Sequence, residues 1–379
     1  MKFKTATIAI LLIAATQLQF SNQTILGSLT THEEGTTAPQ DIPKSRLKPI
    51  TIDLDLPLPE RLNPLHKIFA AKLKELDGSI VKQMTTFFEG QEHLIFKVVL
   101  PRLQKFLKEF RSNQEFYEEM VSISQASGVS LSHIILFNFF YELSNAKLCT
   151  SIVARNSDGE VLMGSNLDFA FYQELAQLAY VGKYVRAGKT VFLTQTIYGL
   201  VGVLRGFRPG KYSLAVNQRY TERVDILNKV NSDSFEVLFF ARKVLQTQDS
   251  YSSALSMLKT GKLLGAAYYI IGGSNSEEGG GLVTRNSDSV HASYYLDERT
   301  WFIVQTNDDR QDIDLRRFAA EHKLRKIEEE NLELSDIFKI LSEFPNHTVN
   351  YYMSTITTVI SKNSEENQTY AYLWMKKED

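Results

Sequence analysis

One residue in the 379 carries a thiol, Cys149. A cysteine attacks a carbonyl once something takes its proton or favours its thiolate. The segment around it, Asn145 to Phe169, reads NAKLCTSIVARNSDGEVLMGSNLDF and holds no histidine to act as that base. A distant histidine could still approach in space, so a papain-like pair stays open. A second route needs no partner side chain. If the chain were cut between Leu148 and Cys149, the new α-amine would sit on the nucleophile itself. Its reference pKa of about 8 lets it act as base and then as acid close to neutral pH. The bland alternative is an inert buried thiol, because free cysteine packs as a small hydrophobe. A third is a disulfide between two chains. A single cysteine rules out an internal disulfide and a cysteine-based zinc site.

Other chemistries fit less well. Gly188-Lys189-Thr190 ends like a phosphate-binding loop, but that spacing needs glycine where Lys183 stands, so a turn between two strands is expected. The glycines at 272–273 and 279–281 do not follow the order strand, glycine turn, helix of a dinucleotide site and read as turns or close backbone approaches. No G-x-S-x-G elbow and no H-E-x-x-H pair occurs among the scattered histidines. Neither a cofactor nor a metal is expected.

These residues need a frame to hold them. A hydrophobic fraction of 43% fills a sizeable core and excludes global disorder. The 42 basic residues nearly balance the 44 acidic ones, which argues against nucleic acid as a partner. Residues 1–20 read as a secretory signal, with Lys2 and Lys4 ahead of an apolar run, Ala6 to Ala15, too short to span a bilayer. The alternative is an uncleaved interfacial helix. Asn-x-Ser/Thr triplets start at Asn22, Asn346 and Asn367, as in a glycosylated chain. Residues 21–48 are polar and irregular, a flexible linker.

After a short strand at Ile50–Leu56, residues 64–148 follow helical periods. One stripe takes Ile68, Leu73, Leu76, Ile80 and Met84, and a second is kinked or interrupted by Pro101. A third, capped by Ser130 and apolar nearly all round to Leu143, is either core or lipid-facing. From Cys149 the pattern turns to strands. A hairpin bends at Asn156–Gly159, and further strands are expected at Leu175–Arg186, Thr190–Ile197, Val201–Leu204 and Tyr212–Gln218. Two helices follow, Ser234–Gln246 and Ser250–Lys259, then strands between Ala266 and Thr306. Two more helices, Leu315–Glu330 and Leu334–Leu341, precede strands at Val349–Ile360 and Thr369–Met375. Blocks of strands beside blocks of helices predict an α+β layered fold.

Five stretches occur in a familiar order: LDLPLPERL from Leu54, CTSIVA from Cys149 with Gly164-Ser165-Asn166-Leu167-Asp168 after the turn, GLVGVLRGFRPGKYSL from Gly199, YYIIGG from Tyr268 and VQTNDDR from Val304. In these the chain resembles, over about residues 50–375, the acid ceramidase and N-acylethanolamine acid amidase family. Its members are lysosomal N-terminal-nucleophile amidohydrolases related to bile-salt hydrolases, and they cut themselves before the cysteine. The resemblance implies a four-layer αββα sandwich in residues 149–379 with a mostly helical region, 49–148, packed on it. It implies Cys149 as nucleophile and new N-terminus and Asp168 as the group orienting its amine and thiol. Asn307 would be the oxyanion donor and Arg316 the arginine of the D-D-R-R element. The spacing from Asn307 is shorter here, which leaves Arg310 and Arg317 as rivals of the same type.

Two positions depart from the family. Its G-R-N-L-D has Ser165 in place of arginine, and its N-E-R has Gln218 in place of glutamate. If those two groups interact, the paired loss compensates, because losing one member of a buried ion pair costs more than losing both. The reaction implied is hydrolysis of an N-acyl lipid amide, an N-acylethanolamine or a ceramide, by an α/β heterodimer cut from one precursor in the lysosome or outside the cell. The aromatic-rich helical region could line an acyl channel and touch a membrane transiently, although core packing explains the same residues. The alternative is an impaired family member that binds lipid.

Overall fold

The computed structural model describes residues 49–379 except 89, 145–148, 170–171, 222, 231–232, 275, 343–353, 361–368 and 375–379. The signal and linker expectations, and the triplets at Asn22, Asn346 and Asn367, lie outside these residues.

The helical region begins after a short strand, β1 (Ile50–Asp53), that ends before the expected Leu56. Helix α1 (Asn63–Thr85) carries a proline in its first turn, where a missing N–H costs nothing. It buries Leu65, Phe69, Leu73, Ile80 and Met84, while Ile68 is 49% exposed. The stripe therefore starts one residue away from its expected phase, since steps of four from Leu65 define the buried face. Pro101 lies in the first turn of α2 (Leu100–Glu109), directly after a wide π turn, Ile95–Val99. The helix runs on through the proline, and the change from one hydrogen-bond spacing to the other falls at the missing N–H. α3 spans Arg111–Ser127. α4 (Leu131–Asn138) is capped as expected, Ser130 Oγ accepting from His133 N at 3.3 Å. It stops short of Leu143 because the buried Asn138 ties its side chain to Gly199 O and Val201 N, and a short helix α5 (Phe140–Leu143) follows.

Among the described residues the strands form two sheets. The larger runs in the order β1-β4-β5-β6-β7-β8-β9-β10, and the smaller β11-β2-β3-β12-β13. β2 (Cys149–Arg155) and β3 (Val161–Phe169) are the expected hairpin, turning at Gly159 with φ 74°. β4 (Ala179–Arg186) and β5 (Lys189–Ile197) turn through Ala187 and Gly188, both at positive φ, which confirms a turn there. β6 (Arg205–Arg208) corrects the strand expected at Val201–Leu204. That apolar run instead packs on α6 (Val237–Thr247): Val203 N–H donates to Leu238 O at 3.0 Å, and a Cβ on Gly202 would lie 2.5 Å from Leu238. The remaining strands are β7 (Tyr212–Gln218), β8 (Ala267–Gly273), β9 (Gly280–Arg285), β10 (Val290–Tyr295), β11 (Phe302–Gln305), β12 (Ser354–Ile360) and β13 (Thr369–Trp374). α7 is Tyr251–Thr260, α8 Leu315–Ile327 and α9 Leu334–Ser342.

Alternation along β2 explains the layers. Ile152 and Ala154 face α8 and α9, packing with Ala320, Leu324 and Phe338. Val153 faces the other sheet with Met163, Phe207, Tyr268 and Ile270. The larger sheet's outer face meets α6, α7 and the helical region in the main core. The fold is the αββα sandwich with helices added. Among the described residues no helix is long and apolar enough to cross a membrane.

Candidate active site

Cys149 begins β2 and is 2% exposed. β11 pairs antiparallel with β2, Gln305 opposite Ser151. Two residues further, the same register brings Asn307 opposite Cys149. There Asn307 Oδ1 accepts the Cys149 N–H at 2.8 Å. It also accepts from Arg316 Nη2 at 3.1 Å, and two donors on one atom fix which way the amide points. Its Nδ2 donates to Gln218 O at 3.0 Å.

Arg316 reaches the site from the first turn of α8, and its Nη1 donates to Cys149 O at 3.3 Å. Asp314 caps that helix, accepting from Arg316 N at 2.8 Å and Arg317 N at 3.2 Å, and Thr306 Oγ1 donates to it. The two rival arginines go elsewhere. Arg310 binds Val304 O at 2.9 Å, and Arg317 spans the carbonyls of Asp309, Arg310 and Asp312. The histidines that stand at polar contacts are likewise engaged away from the thiol. His66 lies between Tyr198 and Ser122, His133 on Asp77, and His291 beside Asp309.

Sequence reasoning missed Tyr141. From α5 its hydroxyl lies 3.2 Å from Cys149 Sγ. Burial and the neighbouring thiol push that hydroxyl well above the usual phenol range, so it stays protonated and can donate to sulfur. Nothing in its sequence setting, an apolar helix, sets it apart from core tyrosines. Next to it, Glu142 and Glu236 share a fully buried niche. Burial raises Glu142 to about 7 and drives Glu236 well above the usual carboxylate range, the latter helped by the charge of Glu142. Glu142 accepts from Val237 N, and Glu236 from Leu238 N and Phe239 N at the start of α6.

The two departures make different bonds. Gln218 Nε2 donates to Tyr141 O at 2.7 Å and Ser144 O at 2.6 Å, a pair of carbonyls that an ionised glutamate could not serve. Ser165 sits opposite Ser151, whose hydroxyl lies 3.0 Å from Ser165 Oγ and 2.7 Å from Asn217 Oδ1. Among the described residues, no hydrogen bond joins the side chains at positions 165 and 218. A second missed residue is Arg205, whose Nη1 donates to Ser165 O at 2.9 Å. Its signal was legible: one arginine inside the apolar run from Val201 to Phe207. Asp168 lies on β3 with its backbone opposite Thr355, its side chain outside the described residues, as is all of Leu148.

Comparison with known proteins gives a consistent picture. A family model described as "Linear amide C-N hydrolases, choloylglycine hydrolase family" matches residues 149–278, its match beginning at Cys149. The acid ceramidase of Homo sapiens is 33% identical over 344 residues, covering 84% of this chain and 85% of its own. That of Mus musculus is 33% identical over 319 residues, covering 78% and 79%. A solved N-acylethanolamine-hydrolyzing acid amidase ortholog of Caenorhabditis elegans superposes with a TM-score of 0.52 at 29% identity, covering 59% of this chain and 100% of its own.

Proposed function

This chain belongs to the acid ceramidase and N-acylethanolamine acid amidase family, cysteine amidases of the N-terminal-nucleophile type acting on N-acyl lipids, and on that premise we propose that it cuts itself between Leu148 and Cys149 and then hydrolyses an N-acylethanolamine or a ceramide. The observation that supports this most is the hold of Asn307 on the Cys149 N–H, with Arg316 behind it.

In the intact chain that nitrogen is an amide. Cys149 Sγ attacks the Leu148 carbonyl carbon. A C–S bond forms, the C–N bond breaks, and the nitrogen gains a proton to become the α-amine. Water then releases the Leu148 carboxylate from the thioester. With the amine freed, the same thiol attacks the lipid amide. The α-amine takes the thiol proton and passes it to the departing amine, and water releases the fatty acid. Asn307 carries two N–H bonds, one of which goes to Gln218 O. The other is the oxyanion donor in this reading, a neutral group that needs no proton shift. Asp168 orients the new amine.

Residues 49–148 and 149–379 would then be the α and β chains. They stay together because one core contains both, Leu65, Phe69 and Phe116 from the first with Phe239 and Leu245 from the second. The signal-like 1–20 and the triplets at Asn22, Asn346 and Asn367 support passage through the secretory route to the lysosome or beyond.

The test is to express the chain through a secretory pathway, hold it in mildly acidic buffer and sequence the N-termini of every fragment. A new terminus beginning Cys149-Thr150-Ser151, missing in Cys149→Ala, is expected, and fatty acid release from N-acylethanolamine and ceramide then assigns the headgroup. A folded chain that stays whole would favour the impaired, lipid-binding reading instead.

A further inference from the structure

We propose that Arg205, reaching across from β6 of the larger sheet, supplies the fixed cation of the Cys149 site, taking the place of an arginine at position 165. This rests on the reading of Cys149 as nucleophile.

Arg205 is 2% exposed, and its Nη1 is fixed on Ser165 O at 2.9 Å. Ser165 stands opposite Ser151, two residues along β2 from Cys149. Two residues of strand are about 7 Å, so the Ser165–Ser151 pair on which the guanidinium rests is one step of the strand face from Cys149. The side chains meet in one layer: Ser151 Oγ reaches Asn217 on β7, so it points from the smaller sheet toward the larger, and its partner Ser165 points the same way. An arginine from β6 and one from position 165 would occupy the same space, and the small Ser165 leaves it to Arg205. The charge is felt at the site, since Arg205 acts on the Tyr141 hydroxyl that touches Cys149 Sγ. A fixed cation there favours thiolate over thiol and stabilises the developing oxyanion.

Among the described residues, the other titratable or charged groups near the thiol are Tyr141 and Glu142 on α5, Glu236 at the start of α6, and Arg316 with Asp314 at the start of α8. Asp168 on β3 joins them in the proposed mechanism. All are kept unchanged in the test, so a difference between variants reports position 205.

Cys149 is the chain's one thiol, so its reaction with methyl methanethiosulfonate reads that sulfur alone. The rate is measured against pH in whole protein, beside the rate of self-cleavage. Arg205→Met is expected to raise the midpoint of thiol reactivity by about one pH unit and to slow cleavage about tenfold. Arg205→Lys, which keeps a charge, should fall between Arg205→Met and the parent. Ser165→Arg added to Arg205→Met should return both readouts to within about twofold of the parent, because the same charge then comes from the other strand. A folded Arg205→Met with the parent's midpoint overturns the proposal. If Arg205→Met does not fold, the double variant decides: a folded protein with the parent's midpoint supports the proposal, and failure to fold or a raised midpoint overturns it. A parent that never cleaves itself sinks the self-processing reading, while the thiol midpoints still judge Arg205.

Discussion

Two arginine clusters, one between helices around Arg242 and one at Cys149 around Arg316, use charge differently. Arg242 on α6 is wholly buried, clasped by Glu119 and 3.7 Å from Glu115, both on α3. Arg61 completes the group, 2.6 Å from Glu115 and 3.2 Å from Glu119. Two cations meet two carboxylates, and little net charge is left to act on anything else. At Cys149 the guanidinium of Arg316 has one carboxylate, Asp314, at 3.9 Å and donates its hydrogen bonds to two neutral acceptors, Cys149 O and Asn307 Oδ1. Charge that is cancelled locally joins helices. A guanidinium whose hydrogen bonds go to the reacting residue's own carbonyl and to its amide partner holds those groups in place for the chemistry.

The largest effect expected is at the matched cluster. Glu119→Ala strands Arg242 in the core and should cost about 3–5 kcal/mol, read by thermal unfolding of the uncleavable Cys149→Ala protein. Removing both charges, Glu119→Leu with Arg242→Met, should cost clearly less. Equal losses in the single and double variants would mean that the two groups do not work as a pair.

The Glu142 and Glu236 pair lies between the two extremes, because it matches a carboxylate with a proton. Glu142 is raised to about 7 by burial. A folded value above the unfolded one gives stability that is complete below the unfolded value and lost as pH rises through the folded one. The protein should therefore lose stability as pH rises from the ordinary carboxylate range through about 7. Glu142→Gln should flatten that slope. A slope unchanged by the substitution would place its origin in other groups.

The two clusters also differ in how far sequence could reveal them. Cys149 and its hairpin were legible from a lone thiol and a local turn, whereas Asn307 was named through the family resemblance and meets Cys149 by the pairing of β11 with β2. The capping Ser130 was legible from local sequence as well. The strand ending at Leu204 missed Arg205 by one residue, since an apolar run satisfies a loop packed on α6 as well as a strand. Tyr141, Arg205 and Gln218 meet the thiol's surroundings only through packing between sheets and helices, which no period of 2 or 3.6 encodes. The carbonyls that receive Gln218 were not legible either, because the family motif does not say what faces that position.

Breaking the second cluster should change chemistry more than stability. Arg316→Lys keeps the charge but loses the fork that binds Cys149 O and Asn307 Oδ1 together. Self-cleavage and amide hydrolysis should fall about 100-fold, with stability changed by less than about 1 kcal/mol. A large loss in melting temperature with normal rates in the folded fraction would assign Arg316 to structure, as with Arg242.

The smallest effect sharpens the contrast, because it puts a carboxylate where the parent side chain donates to two carbonyls. In Gln218→Glu the new group faces Tyr141 O and Ser144 O, both acceptors. When protonated it can donate to one of them; when ionised it repels both. Burial adds to this, so its folded value lies above the unfolded one and its contribution is lost as pH rises. Self-cleavage by the variant should be near the parent's rate in acid and about tenfold slower by about pH 7.5, after division by the parent's own profile. A ratio independent of pH would mean that the carboxylate has found a cation, and Glu119 shows what that looks like: the same group, held between two guanidiniums, becomes a fixture of the fold instead of a sensor of acidity.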